Sequence, residues 1–163
     1  QAVLEYSAMA HFNTKEEFME GNLFDFIEEY AMNILNRSDR LKVQVVRSDT
    51  EGIEMKFVPQ NIAIILDNVV SNSTKYNANE LRVLLGKDEK QYTIDFIDDG
   101  DGVSSDIADL NELLEFGKGY TLTGTGVGLY HIKDIVEKDL QGTVTIESEP
   151  QKGFALHVRF GKV

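Results

Sequence analysis

The sequence predicts an α+β, or mixed α/β, layered domain. Apolar residues recur at helical spacing in three separate segments, and apolar–polar alternation marks short strand-like runs between and after them. The coarse order along the chain is therefore α-β-β-α-β-β-(α)-loop-α-β-β. The 163 residues suit one domain, with or without a short appendage. Folding a chain of this size buries about 68–70% of the unfolded surface. The hydrophobic share of 42% and charged share of 27% are those of a globular protein.

Residues 1–20 read as a partial helix plus a connector. From Asn22, which caps it, a helix carries Leu23, Phe26, Ile27, Tyr30, Ile34 and Leu35 at helical spacing, with Ser38-Asp39 as its stop. Runs 42–47 and 53–58, joined by Ser48-Asp49-Thr50-Glu51-Gly52, read as a hairpin. Pro59 stands where the first turn of a helix tolerates it. The helix over 60–77 is apolar at Ile62, Ile65, Leu66, Val69 and Val70, with Asn68, Asn72 and Lys75 apart from that stripe. Runs 81–85 and 92–97 read as strands, 98–104 as an acidic glycine turn, and 106–116 as a short helix. Residues 117–128 hold five glycines in twelve positions, too many for a continuous helix or a packed strand. Residues 129–140 are helical again, with Leu129, Ile132, Ile135 and Val136 on one face and Gly142 as the stop. Runs 143–148 and 154–160 form a final hairpin across 149–153.

Composition excludes several function classes. The absence of cysteine rules out a disulfide scaffold and a thiolate metal site. No apolar run approaches ~18 residues, so no membrane span is expected, and no signal peptide is visible. Gln1 in place of Met marks the chain as an expected fragment of something longer. A net charge of −12 repels nucleic-acid phosphates and anionic lipids, which counts against a nucleic-acid partner. It does not exclude nucleotide binding, where a local pocket with a metal ion outweighs the global field.

Three clusters carry possible chemistry. Asn68 and Asn72 are four apart and Lys75 is three further on, which places all three on one helical face. That spacing fits the solvated side of an amphipathic helix. It also fits a site, since an amide oxygen is a hard-cation ligand and a lysine a phosphate partner. Asp98-Asp99-Gly100-Asp101-Gly102 follows an apolar strand. It reads either as an acidic turn or as a carboxylate that accepts a hydrogen bond from an amino group deep in a pocket, with glycines that let backbone approach a flat ring. A calcium loop is excluded, because Asp106 stands where the EF-hand needs Glu and a strand precedes the turn. Gly124-Thr125-Gly126-Val127-Gly128-Leu129 opens a helix. Alone it is either a flexible loop or a set of backbone N–H groups where the helix dipole favours phosphate. The dinucleotide fingerprint fails at Leu129, and no G-K-[ST] exists in the chain.

Together, NVVSNSTKY (68–76), DDGDG (98–102) and GTGVGL (124–129) resemble the N, G1 and G2 boxes of the Bergerat-fold ATPase superfamily. That superfamily includes sensor histidine kinases, gyrase-type topoisomerases, MutL-type repair proteins and heat-shock chaperones. The resemblance covers roughly residues 20–160. Within the superfamily, N-x-x-x-N-x-x-K-[YF] and GTGVGLYHIKDIVE resemble the catalytic ATP-binding domain of sensor histidine kinases, with Phe116-Gly117 in the place of the F box. The resemblance implies a two-layer α/β sandwich, a mixed sheet with helices on one face. It implies ATP and Mg²⁺ as ligands, with Asn72 on the metal, Lys75 on phosphate and Tyr76 packed on adenine. Asp98 would accept the adenine amino group, and Gly100 and Gly102 would give close backbone approach. Gly124, Gly126, Gly128 and Leu129 would form the phosphate-facing segment, with a hydroxyl contact from Thr125. A lid would span 103–123, and its one cation, Lys118, would reach the γ-phosphate.

One position separates the branches of the superfamily. Hydrolytic members place a Glu four residues before the magnesium-binding Asn, where it activates water. Here that position is Asn68, and an amide is no general base at any working pH. Asp67 points about 100° away on the helix and is a poor substitute. Asn68 can still orient a water or the metal shell, so slow hydrolysis and transfer to a protein acceptor are expected. The family's phosphoacceptor box needs His followed by an acidic residue and then Pro. His11 precedes Phe12-Asn13, and no Pro occurs before Pro59, while His131 and His157 read as packing or surface residues.

The resemblance therefore implies a kinase domain over 21–163 that passes the γ-phosphoryl to a histidine outside this chain. Residues 1–20 would be the linker from, or remnant of, preceding dimerisation helices. The implied partners are a histidine-containing dimerisation domain and a response regulator, in a homodimeric full-length protein. Its location would be cytoplasmic, with room for a membrane anchor in the full-length protein. A nucleotide-driven conformational ATPase and a non-catalytic docking module are the competing readings. Three departures from the family pattern stand out. Phe154 follows Gly153 where a small hydroxyl residue is usual, Ser73-Thr74 are polar where the N box is more often apolar, and Asp101 adds a third carboxylate near the pocket.

Overall fold

A computed structural model of the chain describes residues 17–37, 39–103, 109–115 and 128–161. The elements in chain order are β1 (Met19–Asn22), α1 (Leu23–Asn33), β2 (Lys42–Arg47), β3 (Glu54–Phe57), α2 (Pro59–Lys75), β4 (Glu80–Lys87), β5 (Gln91–Asp98), α3 (Gly128–Ile135), β6 (Thr143–Ser148) and β7 (Phe154–Gly161). Five strands form one mixed sheet in the order β2-β4-β5-β7-β6. The β2–β4 pair is parallel, and the pairs β4–β5, β5–β7 and β6–β7 are antiparallel.

Side-chain alternation decides which sheet face is covered. Val43, Leu81, Val83, Ile94, Phe96, Val144, Leu156 and Val158 are buried, and they join one core with Leu23, Phe24 and Ile27 of α1, Ile62, Leu66 and Val69 of α2, and Ile132 of α3. Lys42, Gln44, Arg82, Thr145 and Glu147 on the alternate positions are exposed. The domain is thus a two-layer α+β sandwich with its helices on one face, as the sequence predicts. The open face carries a cross-strand polar ladder. Arg159 donates to Asp95 Oδ1 at 2.7 Å, while the two ring nitrogens of His157 lie 2.6 Å from Asp95 Oδ1 and 2.6 Å from Glu147 Oε1.

Helix boundaries follow local chemistry. Asn22 caps α1 by accepting from the Asp25 N–H at 3.1 Å, and its Nδ2 donates to the Glu51 carbonyl at 2.7 Å. Asn22→Ala removes both and is expected to cost about 1–2 kcal/mol, read by urea titration. The helix ends at Asn33, earlier than the expected Ser38-Asp39 stop, and a 3₁₀ turn over Leu35–Arg37 follows; Ser38 itself lies outside the described residues. Pro59 opens α2, where its missing N–H has no partner to lose. The final helix continues from α3 as a π turn over Val136–Leu140, and the left-handed residue that ends it is Gln141 (φ 53°), not the expected Gly142. The short helix expected over 106–116 is a 3₁₀ turn over Leu110–Leu114 within its described part.

The hairpin expected from 42–47 and 53–58 does not form. β2 runs parallel to β4 (Val43 opposite Leu81, Val45 opposite Val83), and β3 pairs with β1 in a separate two-stranded ribbon. The connecting residues fold onto a side chain instead: Asp49 accepts the N–H of Glu51 (3.3 Å) and of Gly52 (2.9 Å), and Lys87 reaches its Oδ1 at 3.4 Å. Residues 19–20, expected within the connector, are strand. No helix among the described residues is long and apolar enough to cross a membrane.

Candidate functional site

Alternation along β5 turns Asp98, its last residue, to the covered side of the sheet, where it is 7% exposed. The carboxylate is held on three sides. Oδ1 accepts the backbone N–H of Gly100 at 2.9 Å and of Phe154 at 3.2 Å, and Oδ2 accepts the Ser73 hydroxyl at 2.7 Å. A carboxylate has about four lone-pair sites, so one on Oδ2 is unspent. Burial pushes the carboxyl above its usual value, the three hydrogen bonds pull it back, and the adjacent Asp99 raises it again.

A hollow lies in front of Asp98, walled by Val69, Leu81, Phe96, Leu129, Phe154 and Leu156, with Asn72, Ser73 and Asp98 as its polar members. Its free space is about 10 Å³, room for one water-sized body. Asn72 and Leu129 are half-buried while the rest of the wall is buried, which places these two at the mouth.

The acidic turn divides its labour. Only Asp98 faces the hollow. Asp99 caps the start of β4 by accepting the N–H of Asn79 (2.8 Å) and Glu80 (2.9 Å), the latter chief among the bonds that hold it below the usual aspartate range. Asp101 accepts from Asn77 Nδ2 at 2.7 Å and is turned away on the surface. The glycines serve chain packing. A Cβ on Gly100 would lie 2.6 Å from the Tyr76 carbonyl, and Gly102 (φ 73°) faces the Glu149 and Gly153 carbonyls. Neither belongs to the wall of the hollow, nor does Tyr76, a half-buried residue at the end of α2 whose phenol burial raises.

The polar face of α2 meets the start of α3. A Cβ on Gly128 would lie 3.4 Å from Asn68 Oδ1, so the first residue of α3 rests on that amide. Among the described residues Asn68 Nδ2 is buried with no hydrogen-bond partner, a polar atom that a ligand or water can satisfy. Lys75 is exposed, with its ammonium lowered by partial desolvation. Lys118, Gly124, Thr125, Gly126 and Phe116-Gly117 lie outside the described residues, as do residues 104–108 and 116–123 of the expected lid and His11. Among the described residues no group of three His, Cys, Asp or Glu is placed to hold a metal. The donor set fits a hard cation only as one carried in by phosphates and completed by the Asn72 amide oxygen.

Sequence reasoning registered Ser73 only as an unusual polar residue. The signal was its place four residues after Val69, in the buried row of α2, where a hydroxyl needs a buried partner.

The site thus combines a mixed sheet covered on one face, a buried carboxylate at a strand end and an asparagine-bearing helix above it. The fold superposes on a nucleotide-free catalytic domain of histidine kinase ThkA with a TM-score of 0.70 and 18% identity, over 90% of this chain and 98% of that one. It superposes on the Acinetobacter baumannii histidine kinase AdeS with a TM-score of 0.63 and 15% identity, over 98% of this chain and 74% of that one. No curated protein matches the sequence significantly. Residues 57–162 match the histidine kinase-, DNA gyrase B-, and HSP90-like ATPase family, and the chain belongs to that family.

Proposed function

We propose that this chain is the ATP-binding catalytic domain of a two-component sensor histidine kinase, which binds Mg-ATP and transfers the γ-phosphoryl to a histidine on a separate dimerisation domain. The observation that carries this reading is Asp98, an otherwise saturated buried carboxylate with one acceptor site left, at the end of an apolar hollow. An amino-bearing aromatic ring matches that combination. The apolar wall takes the ring, Asp98 accepts from its amino group, and Asn72 at the mouth faces the phosphates together with the α3 N-terminus, whose dipole favours anions. Magnesium, when bound, neutralises phosphate charge, and Asn72 is the residue that would hold it.

Asn68 favours transfer over hydrolysis for a chemical reason. Water must lose a proton to attack, and an amide cannot take it. A neutral imidazole nitrogen attacks the γ-phosphorus with its own lone pair as the bond to the ADP oxygen breaks, and ADP leaves with that electron pair. An amide at position 68 costs this reaction nothing, because positioning supplies most of the catalysis. A response regulator as the next acceptor, a homodimeric full-length protein and a cytoplasmic location complete the proposal.

A docking module that binds no nucleotide is the second reading, favoured by the narrow hollow. Calorimetric titration of this chain with a non-hydrolysable ATP analogue, with and without Mg²⁺, separates the two. Magnesium-dependent binding is expected. Even an outer-shell partner is worth about 10–100-fold in metal affinity, so loss of the direct ligand in Asn72→Ala is expected to weaken binding in Mg²⁺ by at least about tenfold and to affect metal-free binding far less. No binding at millimolar nucleotide overturns the proposal and leaves the docking reading.

A further inference from the structure

We infer that the open face of the five-stranded sheet, the side without helices, is an interface between two copies of this chain, stacked face to face about a two-fold axis along β5. The inference is independent of the nucleotide-binding reading, because Asp98 and its hollow lie on the opposite, helix-covered side of the sheet.

Strand register places the residues of this face. One row across the five strands reads Gln44, Arg82, Ile97, Ala155 and Glu147, and the next reads Val46, Leu84, Asp95, His157 and Thr145. Val46 and Leu84 are direct partners, as are Ile97 and Ala155. Leu84 and Ile97 are diagonal neighbours across β4 and β5, within reach of one another. Four apolar side chains therefore cross the face from β2 to β7, and Val46 is 43% exposed. A solvated sheet face is usually polar at such positions. Charge sets the face apart as well. Lys42, Arg82 and Arg159 balance Glu80, Asp95 and Glu147, so the net charge of −12 lies elsewhere on the chain. Two copies can meet here without the self-repulsion that the rest of the surface imposes.

The order of the rows makes a second copy the matching occupant. β5 is the central strand of the sheet. A two-fold axis along it lays β2 over β6 of the second copy and β4 over its β7, in the aligned packing of two sheets. Gln44 and Arg82 then face the side of the second copy that carries Glu147, and the symmetry repeats that contact. Ile97 meets its own symmetry mate, with Leu84 and Ala155 beside it. Asp95 enters the contact already bound to Arg159 and the His157 ring, so no unpaired charge is buried. Strands about 4.8 Å apart and about 20 Å long give about 500 Å² of face per copy, hence about 1,000 Å² in the pair, the lower limit of a specific interface. A weak, reversible dimer is expected, with both Asp98 hollows on its outer sides.

The test is sedimentation equilibrium over a concentration series, at low and at high salt. It compares the wild-type chain with Val46→Asp, Arg82→Glu and Glu147→Arg on the open face. Glu29→Arg is the control, since it changes the net charge as Glu147→Arg does but lies exposed on α1. Circular dichroism checks that each variant is folded. Wild type is expected to dimerise with rising concentration, and less so at high salt. Each open-face substitution should weaken the dimer at least about tenfold, while Glu29→Arg leaves it nearly unchanged. A mixture of folded Arg82→Glu and Glu147→Arg chains should dimerise where neither does alone, because the two-fold axis sets each new charge against its opposite. If loss of the His157 contact unfolds Glu147→Arg, Val46→Asp and Arg82→Glu carry the test against the control. A wild-type chain that stays monomeric at every concentration overturns the inference. So does a dimer that the open-face variants leave intact, one that Glu29→Arg weakens as much as they do, or one that the folded mixture fails to restore.

Discussion

Asp98→Asn is expected to reduce nucleotide affinity by about 100-fold or more and leave the domain folded. The amide oxygen can still accept the Gly100 and Phe154 N–H groups that now meet Oδ1. The amide nitrogen then turns toward Ser73, whose hydroxyl rotates to accept. The same NH₂ meets the amino group of an incoming base, donor against donor. The fold even loses a burden. Burial raises the Asp98 carboxyl above its unfolded value. The folded chain therefore holds the proton more tightly, and Asp98 subtracts stability as pH rises from the ordinary aspartate value through its folded value. Asp49 and Asp99 act in the opposite sense. Burial alone would raise Asp49, but the Gly52 and Glu51 N–H groups and Lys87 hold it below its usual value, and Asp99 is lowered first by the Glu80 N–H. Their contribution is complete above the unfolded value and is lost as pH falls through their depressed folded values. Wild-type binding is therefore expected to fail on acidification above the ordinary aspartate range, while the fold persists to lower pH. Circular dichroism and calorimetry along one pH series check this. Loss of binding and of structure at the same pH, or tight binding by Asp98→Asn, would remove Asp98 from the site.

Much of this site could be read in sequence because its determinants are local. The spacing of Asn68 and Asn72 needs only the helix period, and Asp98 needs only the end of an alternating strand. The rule that predicts a β2–β3 hairpin is also local, and here a distant pairing overrides it. Ser48-Asp49-Thr50-Glu51-Gly52 has turn composition, but Asp49 spends its carboxylate on the loop itself and on Lys87. β2 then finds β4 across a connection through β3 and α2, a pairing that no short window contains. The last helix ends at Leu140 as the sequence predicts, but Gln141 takes the left-handed position that glycine usually fills, and a Cβ on Gly142 would instead meet the Arg159 carbonyl of β7. Glycine there answers a tertiary contact. Gly100 meets a tertiary contact too, since a Cβ there would lie 2.6 Å from the Tyr76 carbonyl at the end of α2. Ser73 was undervalued because its partner is 25 residues away.

Gly153→Ala is expected to destabilise the domain by about 3 kcal/mol and to damage the site in the same step. Gly153 has φ 83°, which strains any side chain, and its Cβ would press on the Asp98 carbonyl oxygen, with the Asp98 carbonyl carbon at 3.3 Å and Asp99 Cα at 3.6 Å. These are backbone atoms at the end of a paired strand and cannot swing aside as a side chain can. The β6–β7 turn is bound to the Asp98 segment by several ties that must move with it. Ser148 Oγ donates to the Gly153 carbonyl at 2.7 Å and accepts the Val103 N–H at 3.0 Å, and the Gln151 N–H donates to the Asp101 carbonyl at 2.5 Å. Pushing Gly153 away from Asp98 carries Phe154 with it, and the 3.2 Å bond from Phe154 to Oδ1 is the weakest link. A domain of this length loses about 2–4 °C of melting temperature per kcal/mol, so a fall of about 6–12 °C is expected. Gly161→Ala at the far end of β7 is the control, because its Cβ would meet nothing within 4 Å, and it should change stability by less than about 0.5 kcal/mol. Equal melting temperatures for the two variants would show that the turn is not clamped to Asp98. A stable Gly153→Ala chain with unimpaired ATP affinity would break the link between the last hairpin and the carboxylate that reads the base.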